Sequence, residues 1–316
     1  MATKAYFAFA RHALVSGLRH IGIQPGDEIG VPEVICRDVL SSIHAVGAIP
    51  RFFPVDEELR PAGCGSAIRA RAVLMVNYFG FPQKISDFTS LWPSATLIED
   101  NAHGFLSEDS NGLLLGSRTE VGITSFRKTI RVPNGAFLST RVDLDPAHQV
   151  PLSKERLDAG FRLRSLFATL ERQTNLPLQQ LTRFAVRSVR KLRTGSPLPL
   201  TSSISENELP SRRSMSYQTL KRLMALNVED EIMRRRHLFN KFLEGATTLE
   251  IRPVFNRLPD RCSPYGFPFY SIGVPKGIMG MARRHHCEVI SWPDLPSGVF
   301  VSENHFYRQL YVVNFL

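Results

Sequence analysis

Two segments place a reactive side chain at or just beyond the end of a strand-like run, and they constrain the fold of this 316-residue chain more than any other feature. Residues 97–104 form an apolar run that ends in Asp100, with His103 three residues further on. In residues 125–136, Lys128 follows a β-branched and aromatic stretch and lies among glycine and small polar residues. An acid at one strand end and a lysine at another form the arrangement that one kind of cofactor chemistry needs.

That chemistry belongs to pyridoxal phosphate. A lysine amine forms a Schiff base with the cofactor aldehyde, and a carboxylate keeps the pyridine nitrogen protonated so that the ring can accept electrons. Lys128 is the candidate for the Schiff base, and its freed amine would then be the general base of the proton shift. Asp100 is the candidate partner of the pyridine nitrogen. An exposed loop lysine and a helix-capping acid are the alternatives for these two residues.

The N-terminal half alternates helical and strand-like segments, which is typical of an α/β layer fold. Apolar residues at helical spacing predict a helix over residues 10–21, and a second helix is predicted over 37–46. Strands are predicted over 29–31, 49–55, 73–79 and 96–98, and an antiparallel pair over 121–126 and 136–140 flanks the lysine.

The second half has a different character. Residues 154–193 predict two basic helices broken at Pro177, and residues 194–212 are rich in Ser, Pro and Gly, as in a linker. One long helix is predicted over 216–243, followed by strands and a helix near 276–286. We therefore expect a large domain over 1–213, with 150–212 as a helical insertion and linker, and a small α+β domain over 214–316.

The net charge of +10 comes largely from the arginines of residues 154–193. One interpretation is a solvated helical face, and another is contact with an anionic ligand such as a nucleotide-sugar diphosphate. Binding of nucleic acid or of an acidic membrane surface is a third. We expect no nucleic-acid partner, because no recognisable nucleic-acid module accompanies the charge.

Cysteine usage and hydropathy bound the setting. The four cysteines lie far apart without metal-ligand spacing, which favours a reducing cytoplasm and predicts no metal. No apolar run approaches membrane-spanning length. Residues 1–26 resemble an Arg-rich transit peptide in lacking acids before Asp27, but residues 6–21 also fit the first helix of an enzyme.

A set of motifs resembles the DegT/StrS family of nucleotide-sugar aminotransferases. The matching stretches are residues 26–29 (GDEI), 47–56 (GAIPRFFPVD), 77–82 (NYFGFP), 99–104 (EDNAHG), 125–135 (SFRKTIRVPNG) and 292–293 (WP). They resemble the family's GDEV-type strand, its GA-P-F-DVD segment, its H-Y-G-P loop, its EDAAH strand end, its SF…K…GG loop and a WP near the small domain's active-site edge. Residues 150–210 match poorly.

The resemblance implies the fold type I architecture of pyridoxal-phosphate enzymes. This is an α/β fold with a mixed, mostly parallel seven-stranded sheet between helices and a smaller C-terminal α+β domain. It further implies a homodimer with active sites at the subunit interface. The implied reaction moves an amino group from glutamate to a keto carbon of a nucleotide-linked sugar, a step of polysaccharide biosynthesis.

The same resemblance assigns the remaining cofactor contacts. His103 would contact the phenolic oxygen, although a surface or core histidine is the alternative. Ser125 would donate its hydroxyl to the phosphate. Ala10, Arg11 and His12, at the start of the first helix, would offer backbone N–H groups to the same anion, because a helix N-terminus carries unsatisfied donors.

Three positions depart from the family pattern. Cys36 stands where the family stacks an aromatic ring on the cofactor, and Arg212 lies near the place of the neighbouring subunit's phosphate motif. Ala136 replaces the second glycine of the lysine loop. Two rivals follow: a pyridoxamine-phosphate-dependent sugar dehydratase, which would carry histidine in place of Lys128, and a non-catalytic or regulatory protein on the same fold.

Overall fold

The computed structural model describes residues 3–63, 69–145, 150–154, 159–174, 192, 204–292, 294–300, 302 and 305–316. The elements of the first half are β1 (Thr3–Phe7), α1 (Ala10–His20), β2 (Glu28–Pro32), α2 (Leu40–His44), β3 (Ile49–Phe53), β4 (Ala72–Val76), α3 (Ile85–Leu91), β5 (Thr96–Asn101), β6 (Val121–Ser125) and β7 (Ala136–Thr140). Those of the second half are α4 (Ala159–Thr174), α5 (Ile204–Asn207), α6 (Tyr217–Met224), α7 (Val228–Glu244), β8 (Arg252–Pro253), β9 (Gly266–Tyr270), α8 (Lys276–Arg284), β10 (Glu288–Ser291) and β11 (Leu310–Asn314). Short 3-10 turns cover Arg37–Val39, Tyr78–Gly80 and Phe306–Gln309.

The larger sheet has seven strands in the order β1-β7-β6-β5-β4-β2-β3. The pairs β2–β3, β2–β4, β4–β5 and β5–β6 are parallel, and β7 pairs antiparallel with both β6 and β1. Every residue of β4 and β6 is buried, as expected for strands covered on both faces. Helix α1 lies against β6, and a Cβ at Gly17 would come within 2.6 Å of a Val121 methyl carbon. The mixed, mostly parallel α/β sheet predicted from the sequence is confirmed.

The first strand was not predicted, and the assignment of residues 6–21 to one helix is wrong at its start. Tyr6 and Phe7 belong to β1, where Phe7 pairs with Ala136 at the edge of the sheet. The helix begins only at Ala10, after the extended residue Phe9. Pairing of the backbone with β7 satisfies hydrogen bonds that a longer helix would have supplied within itself, so tertiary pairing outweighs the helical pattern.

The strand predicted over 73–79 ends at Val76 because the chain turns there. Asn77 starts a 3-10 turn, and Phe79 and Gly80 adopt φ angles of 55° and 87°. Both values lie in the left-handed region, which is unfavourable for a bulky residue such as Phe79. The turn places the motif of residues 77–82 at the carboxyl end of the sheet, beside the candidate site.

A second, antiparallel sheet has the order β10-β11-β9-β8. Its strands and α8 match the elements predicted for residues 249–316. The single helix predicted over 216–243 is wrong, because two helices, α6 and α7, occupy that stretch. The side chain of Asn227 accepts a hydrogen bond from the Asp230 N–H and so begins a new helix. The division of the chain at residue 213 stays a prediction.

The basic region is described only in part. Helix α4 occupies part of the first predicted basic helix, whereas the second basic helix and most of the linker, like Pro293, lie outside the described residues. Across the parts of the chain that the structure describes, no helix is long and apolar enough to cross a membrane. Within the same ranges, no three His, Cys, Asp or Glu side chains are grouped to hold a metal ion.

Candidate active site

An open cleft lies at the carboxyl ends of three neighbouring parallel strands. Val76 of β4, Asp100 of β5 and Ser125 of β6 line it, together with residues from the start of α1. This is the edge at which α/β sheets bind ligands, because the strand ends and the loops that follow them converge there. The cleft has about 800 Å³ of empty space, counting the part that is open to solvent.

The cleft brings together seven of the nine residues predicted from the sequence. These are Ala10, Arg11, Cys36, Asp100, His103, Ser125 and Lys128. The other two lie elsewhere. The His12 imidazole contacts the Pro210 carbonyl oxygen at 2.9 Å and lines a separate cavity, while Arg212 is exposed and lines neither cavity. The His12 backbone N–H already donates to the Phe9 carbonyl oxygen, so of the three predicted N–H donors only those of Ala10 and Arg11 remain candidates.

Asp100 is a buried carboxylate at the floor of the cleft. Its side chain is 4% exposed, and Oδ1 accepts a hydrogen bond of 2.9 Å from the Ala102 N–H. Burial raises the pKa of Asp100, while the Ala102 hydrogen bond and the nearby Lys128 act in the opposite direction. A buried carboxylate in this state gains stability from a further cationic or hydrogen-bonding partner, and a ligand in the cleft can supply one.

His103 presents one defined ring nitrogen to Lys128. The Phe79 N–H donates to Nδ1 at 3.3 Å, and the Lys128 Nζ lies 3.2 Å from Nε2. Burial, with a smaller contribution from Lys128, holds the pKa of His103 well below its ordinary value, so the ring is neutral near pH 7. A neutral imidazole carries one proton, and the Phe79 N–H at Nδ1 favours the tautomer that carries this proton on Nε2.

Aromatic rings hold the His103 imidazole in place. The ring stacks on Tyr265 with centroids 4.6 Å apart and on Phe79 at 5.6 Å, and Trp292 meets it edge-on at 5.3 Å. These rings explain both the burial of the imidazole and its fixed orientation. Trp292, which the WP motif indicated, also lines the cleft. No sequence signal pointed to Tyr265, which approaches His103 only in the folded chain.

A buried ion pair lies next to Asp100 at the end of β5. Glu99 is fully buried and Arg118 is 6% exposed, and the Arg118 Nε donates to Glu99 Oε1 at 2.7 Å. Asn77 donates to the same carboxylate at 2.8 Å and accepts from Arg118 at 3.0 Å. The Asn77 N–H also binds the Asp100 carbonyl oxygen. Glu99 is part of the motif of residues 99–104, but nothing in the sequence identified Arg118 as its partner.

Two arginines line the cleft beside the Phe9 ring. The Arg127 guanidinium lies 5.2 Å from the centre of the Phe9 ring, and the Arg11 guanidinium lies 6.0 Å from the same ring. Arg11 also forms an ion pair of 3.5 Å with Asp38. Two guanidinium groups in one cleft favour an anionic ligand.

Cys36 lines the cleft and is half-buried. Trp292 lines the same cleft. Whether the sulfur meets a bound ring stays a prediction.

Comparison with known proteins agrees with the motifs. Residues 7–140 match the sequence model of the DegT/DnrJ/EryC1/StrS aminotransferase family. The UDP-N-acetyl-3-dehydro-alpha-D-glucosamine 3-aminotransferase of Acidithiobacillus ferrooxidans is 33% identical over 121 residues, which are 36% of this chain. That match spans 32% of the relative, or about a third of its length.

Solved structures resemble nearly the whole chain. A DegT DnrJ EryC1 StrS aminotransferase from Brucella abortus has a TM-score of 0.61 at 17% identity, over 98% of this chain and 80% of that one. The E. coli GDP-4-keto-6-deoxy-D-mannose-3-dehydratase, solved with bound hydrated PLP, has a TM-score of 0.58 at 15% identity, over 98% and 83% of the two chains. These likenesses show the fold, which is that of fold type I enzymes. The family match over residues 7–140 contains Asp100, His103, Ser125 and Lys128, and it confirms the resemblance seen in the motifs.

Proposed function

We propose that the protein is a pyridoxal-phosphate-dependent aminotransferase that moves an amino group from glutamate to a keto group of a nucleotide-linked sugar. One observation carries the proposal. The Lys128 amine lies 3.2 Å from His103 Nε2, in the same cleft as Asp100 and Ser125. A primary amine, a buried acid, a neutral ring donor and a hydroxyl are the groups that this cofactor uses.

The residues of the cleft fit the cofactor on their own chemistry. In the part of the chain that the structure describes, the Asp100 carboxylate accepts one hydrogen bond, from Ala102, although an ionised carboxylate can accept about four. A protonated ring nitrogen would supply the missing partner and favour the ionised acid. Ser125 and the first turn of α1, which line the same cleft, would provide a hydroxyl and backbone N–H groups for the phosphate.

When bound, the cofactor supplies an electron sink that stabilises negative charge on the neighbouring carbon. Lys128 would hold the cofactor and carry a proton to and from that carbon. Asp100 would keep the ring nitrogen protonated, and His103 would orient its Nε2–H toward the cofactor's phenolic oxygen. The aromatic rings packed around His103 hold that donor in place and shield it from water.

The positive charge in the cleft supports an anionic substrate. Arg11 and Arg127 line the cleft, and a diphosphate between two guanidinium groups would gain charge-assisted hydrogen bonds. The relative from Acidithiobacillus ferrooxidans is named for a UDP-linked amino sugar, which supports a nucleotide-linked substrate.

We further propose a homodimer in the cytoplasm. Arg212 is exposed and lies outside the cleft of its own chain, which fits a contact with the cofactor phosphate of a partner subunit. A protein that binds the cofactor fully as a monomer would contradict this part of the proposal.

A sugar dehydratase is the second candidate, because several structural neighbours are dehydratases. Lys128 argues against it, because the sugar dehydratases that this chain resembles carry a histidine at the position of Lys128. A non-catalytic protein on the same fold is the remaining alternative.

Borohydride reduction of the purified protein with pyridoxal phosphate tests the proposal. Peptide mapping should place the pyridoxyl group on Lys128, and Lys128→Arg should abolish the label while Lys84→Arg, outside the cleft, should not. A label on another lysine, or none, contradicts the proposal. Glutamate is then added to the cofactor-loaded protein, and the absorbance of the cofactor is recorded. Transfer of the amino group to the cofactor changes this absorbance in an aminotransferase, whereas a binding protein shows no change.

A further inference from the structure

We propose that Arg235, far from Lys128 in the sequence, is a positioning residue that fixes the Lys128 amine against His103. The inference rests on the proposed function, because it assigns Lys128 as the cofactor-binding amine. Arg235 lies on α7, outside the cleft, and does not touch the reacting groups.

The Arg235 side chain is fully buried and is surrounded by acceptors. Its guanidinium donates to the backbone oxygens of Thr129, Pro264 and Tyr265, the last two at 3.1 Å. Its Nε donates to Glu231 Oε1 at 2.7 Å. A guanidinium is the side chain that can reach several acceptors at once, because it holds five donors in a rigid plane.

These contacts join the two sides of the candidate site. Thr129 directly follows Lys128, and the Tyr265 ring stacks on His103 at 4.6 Å. His103 in turn contacts the Lys128 amine at 3.2 Å. Arg235, the lysine loop, His103 and Tyr265 therefore form a closed ring of contacts, and a shift of Arg235 moves both the amine and the imidazole that it meets.

The charged guanidinium of Arg235 makes hydrogen bonds that an apolar side chain could not make. Burial lowers its pKa to about 10, so it remains protonated at neutral pH with Glu231 beside it. An apolar side chain would fill this volume without the desolvation cost of a charge. An apolar side chain would also leave three backbone oxygens from two distant segments without their donor.

A second arginine acts on the same loop. The Arg222 Nη1, on α6, donates to the Arg131 carbonyl oxygen at 2.6 Å. Two carbonyl groups within three residues of Lys128 are thus bound by guanidinium groups from the C-terminal helices. The loop depends on side chains from outside the larger sheet for its conformation.

Arg235→Lys tests the proposal, with Arg236→Lys as the matched control. Arg236 is the next residue of α7 and also donates to two backbone oxygens, those of Pro259 and Cys262, but not to the lysine loop. The rate at which cofactor-free protein captures pyridoxal phosphate on Lys128, followed by absorbance across pH, should fall about tenfold or more in Arg235→Lys, as expected for a displaced reacting group. Arg236→Lys should keep the wild-type rate and pH profile.

Equal capture rates and pH profiles in the two variants would overturn the proposal. Should Arg235→Lys fail to fold, Glu231→Gln carries the same test, since it weakens the anchor of Arg235 and keeps the side-chain shape; a rate equal to that of Arg236→Lys then refutes the proposal. The proposed function fails separately, when the wild-type protein itself places no label on Lys128.

Discussion

The Lys128 amine and the Phe79 amide bind opposite nitrogens of one imidazole, that of His103. The Phe79 N–H donates to Nδ1 at 3.3 Å, which favours the tautomer with the proton on Nε2, and Nε2 faces the amine at 3.2 Å. Phe79 reaches this position in a left-handed conformation, with φ of 55°, and Gly80 continues the turn. Backbone strain at a candidate site is consistent with a conformation kept for its chemistry.

Asp100→Asn should leave the cofactor bound but slow the reaction. The amide has the same shape, yet it cannot hold the pyridine nitrogen protonated. We expect kcat to fall about 10²–10³-fold, the range for loss of one preorganised electrostatic contact. Steady-state kinetics and a cofactor titration measure the two effects separately. Asp27→Asn, outside the cleft, is the control, and full activity in Asp100→Asn would remove Asp100 from the site.

His103 should make the protein less stable in mild acid. Its pKa in the folded protein lies well below the value of 6.5 for an unperturbed histidine. The unfolded chain therefore binds more protons below pH 6.5, and stability falls as the pH decreases from there. A single proton changes the free energy of unfolding by at most about 1.4 kcal/mol per pH unit.

Urea denaturation of the wild type and of His103→Phe between pH 7.5 and about 5 measures this slope. In the variant, the slope of the free energy of unfolding against pH should be smaller by the contribution of about one proton. Asp100, whose pKa is raised by burial, contributes with the opposite sign, and because both proteins contain it, its effect is common to the two slopes. Identical slopes would show that His103 is not buried as a neutral ring.

The sequence predicts the local parts of the site and misses the parts that depend on distant packing. Asp100 and Lys128 could be predicted because each ends a strand or begins the loop after one, and short motifs carry that information. Tyr265 and Arg235 could not, because their contacts with the site form across the fold; Arg235 and Thr129 are 106 positions apart.

Two errors in the secondary structure have different causes. The strand β1 exists only through its pairing with β7, which no pattern within Thr3–Phe7 reveals. The break between α6 and α7 did have a local signal. Asn227 is followed by Glu229, Asp230 and Glu231, which is typical of a helix start, but the prediction of one helix over 216–243 passed over it.

Removing one partner of the Arg118–Glu99 pair should destabilise the protein much more than removing both. Arg118→Met leaves the fully buried Glu99 without its cation and should cost about 3–5 kcal/mol of the free energy of unfolding. The double variant Arg118→Met with Glu99→Met should recover much of that loss, because no buried charge then remains unpaired. Chemical denaturation measures both, and additive losses would mean that the pair does not act as a unit.

Cys36→Phe should tighten cofactor binding. Cys36 lines the cleft at the place where the family stacks an aromatic ring, and such a stack contributes about 0.5–1.5 kcal/mol beyond buried area. Because 1.4 kcal/mol corresponds to a factor of ten, affinity should rise at most about tenfold. Fluorescence titration of cofactor-free wild type and variant measures the change, with Cys36→Ser as the variant that adds no ring.

Thiol labelling provides an independent test of the same contact. Cofactor bound in the cleft should protect Cys36 from a thiol reagent, whereas the buried Cys262 should react slowly in either state. Unchanged affinity in Cys36→Phe together with equal labelling of Cys36 with and without cofactor would show that the sulfur does not meet the ring. Trp292, which lines the same cleft and contacts His103, would then be the side chain to replace next, since its loss should weaken binding by the same stacking energy.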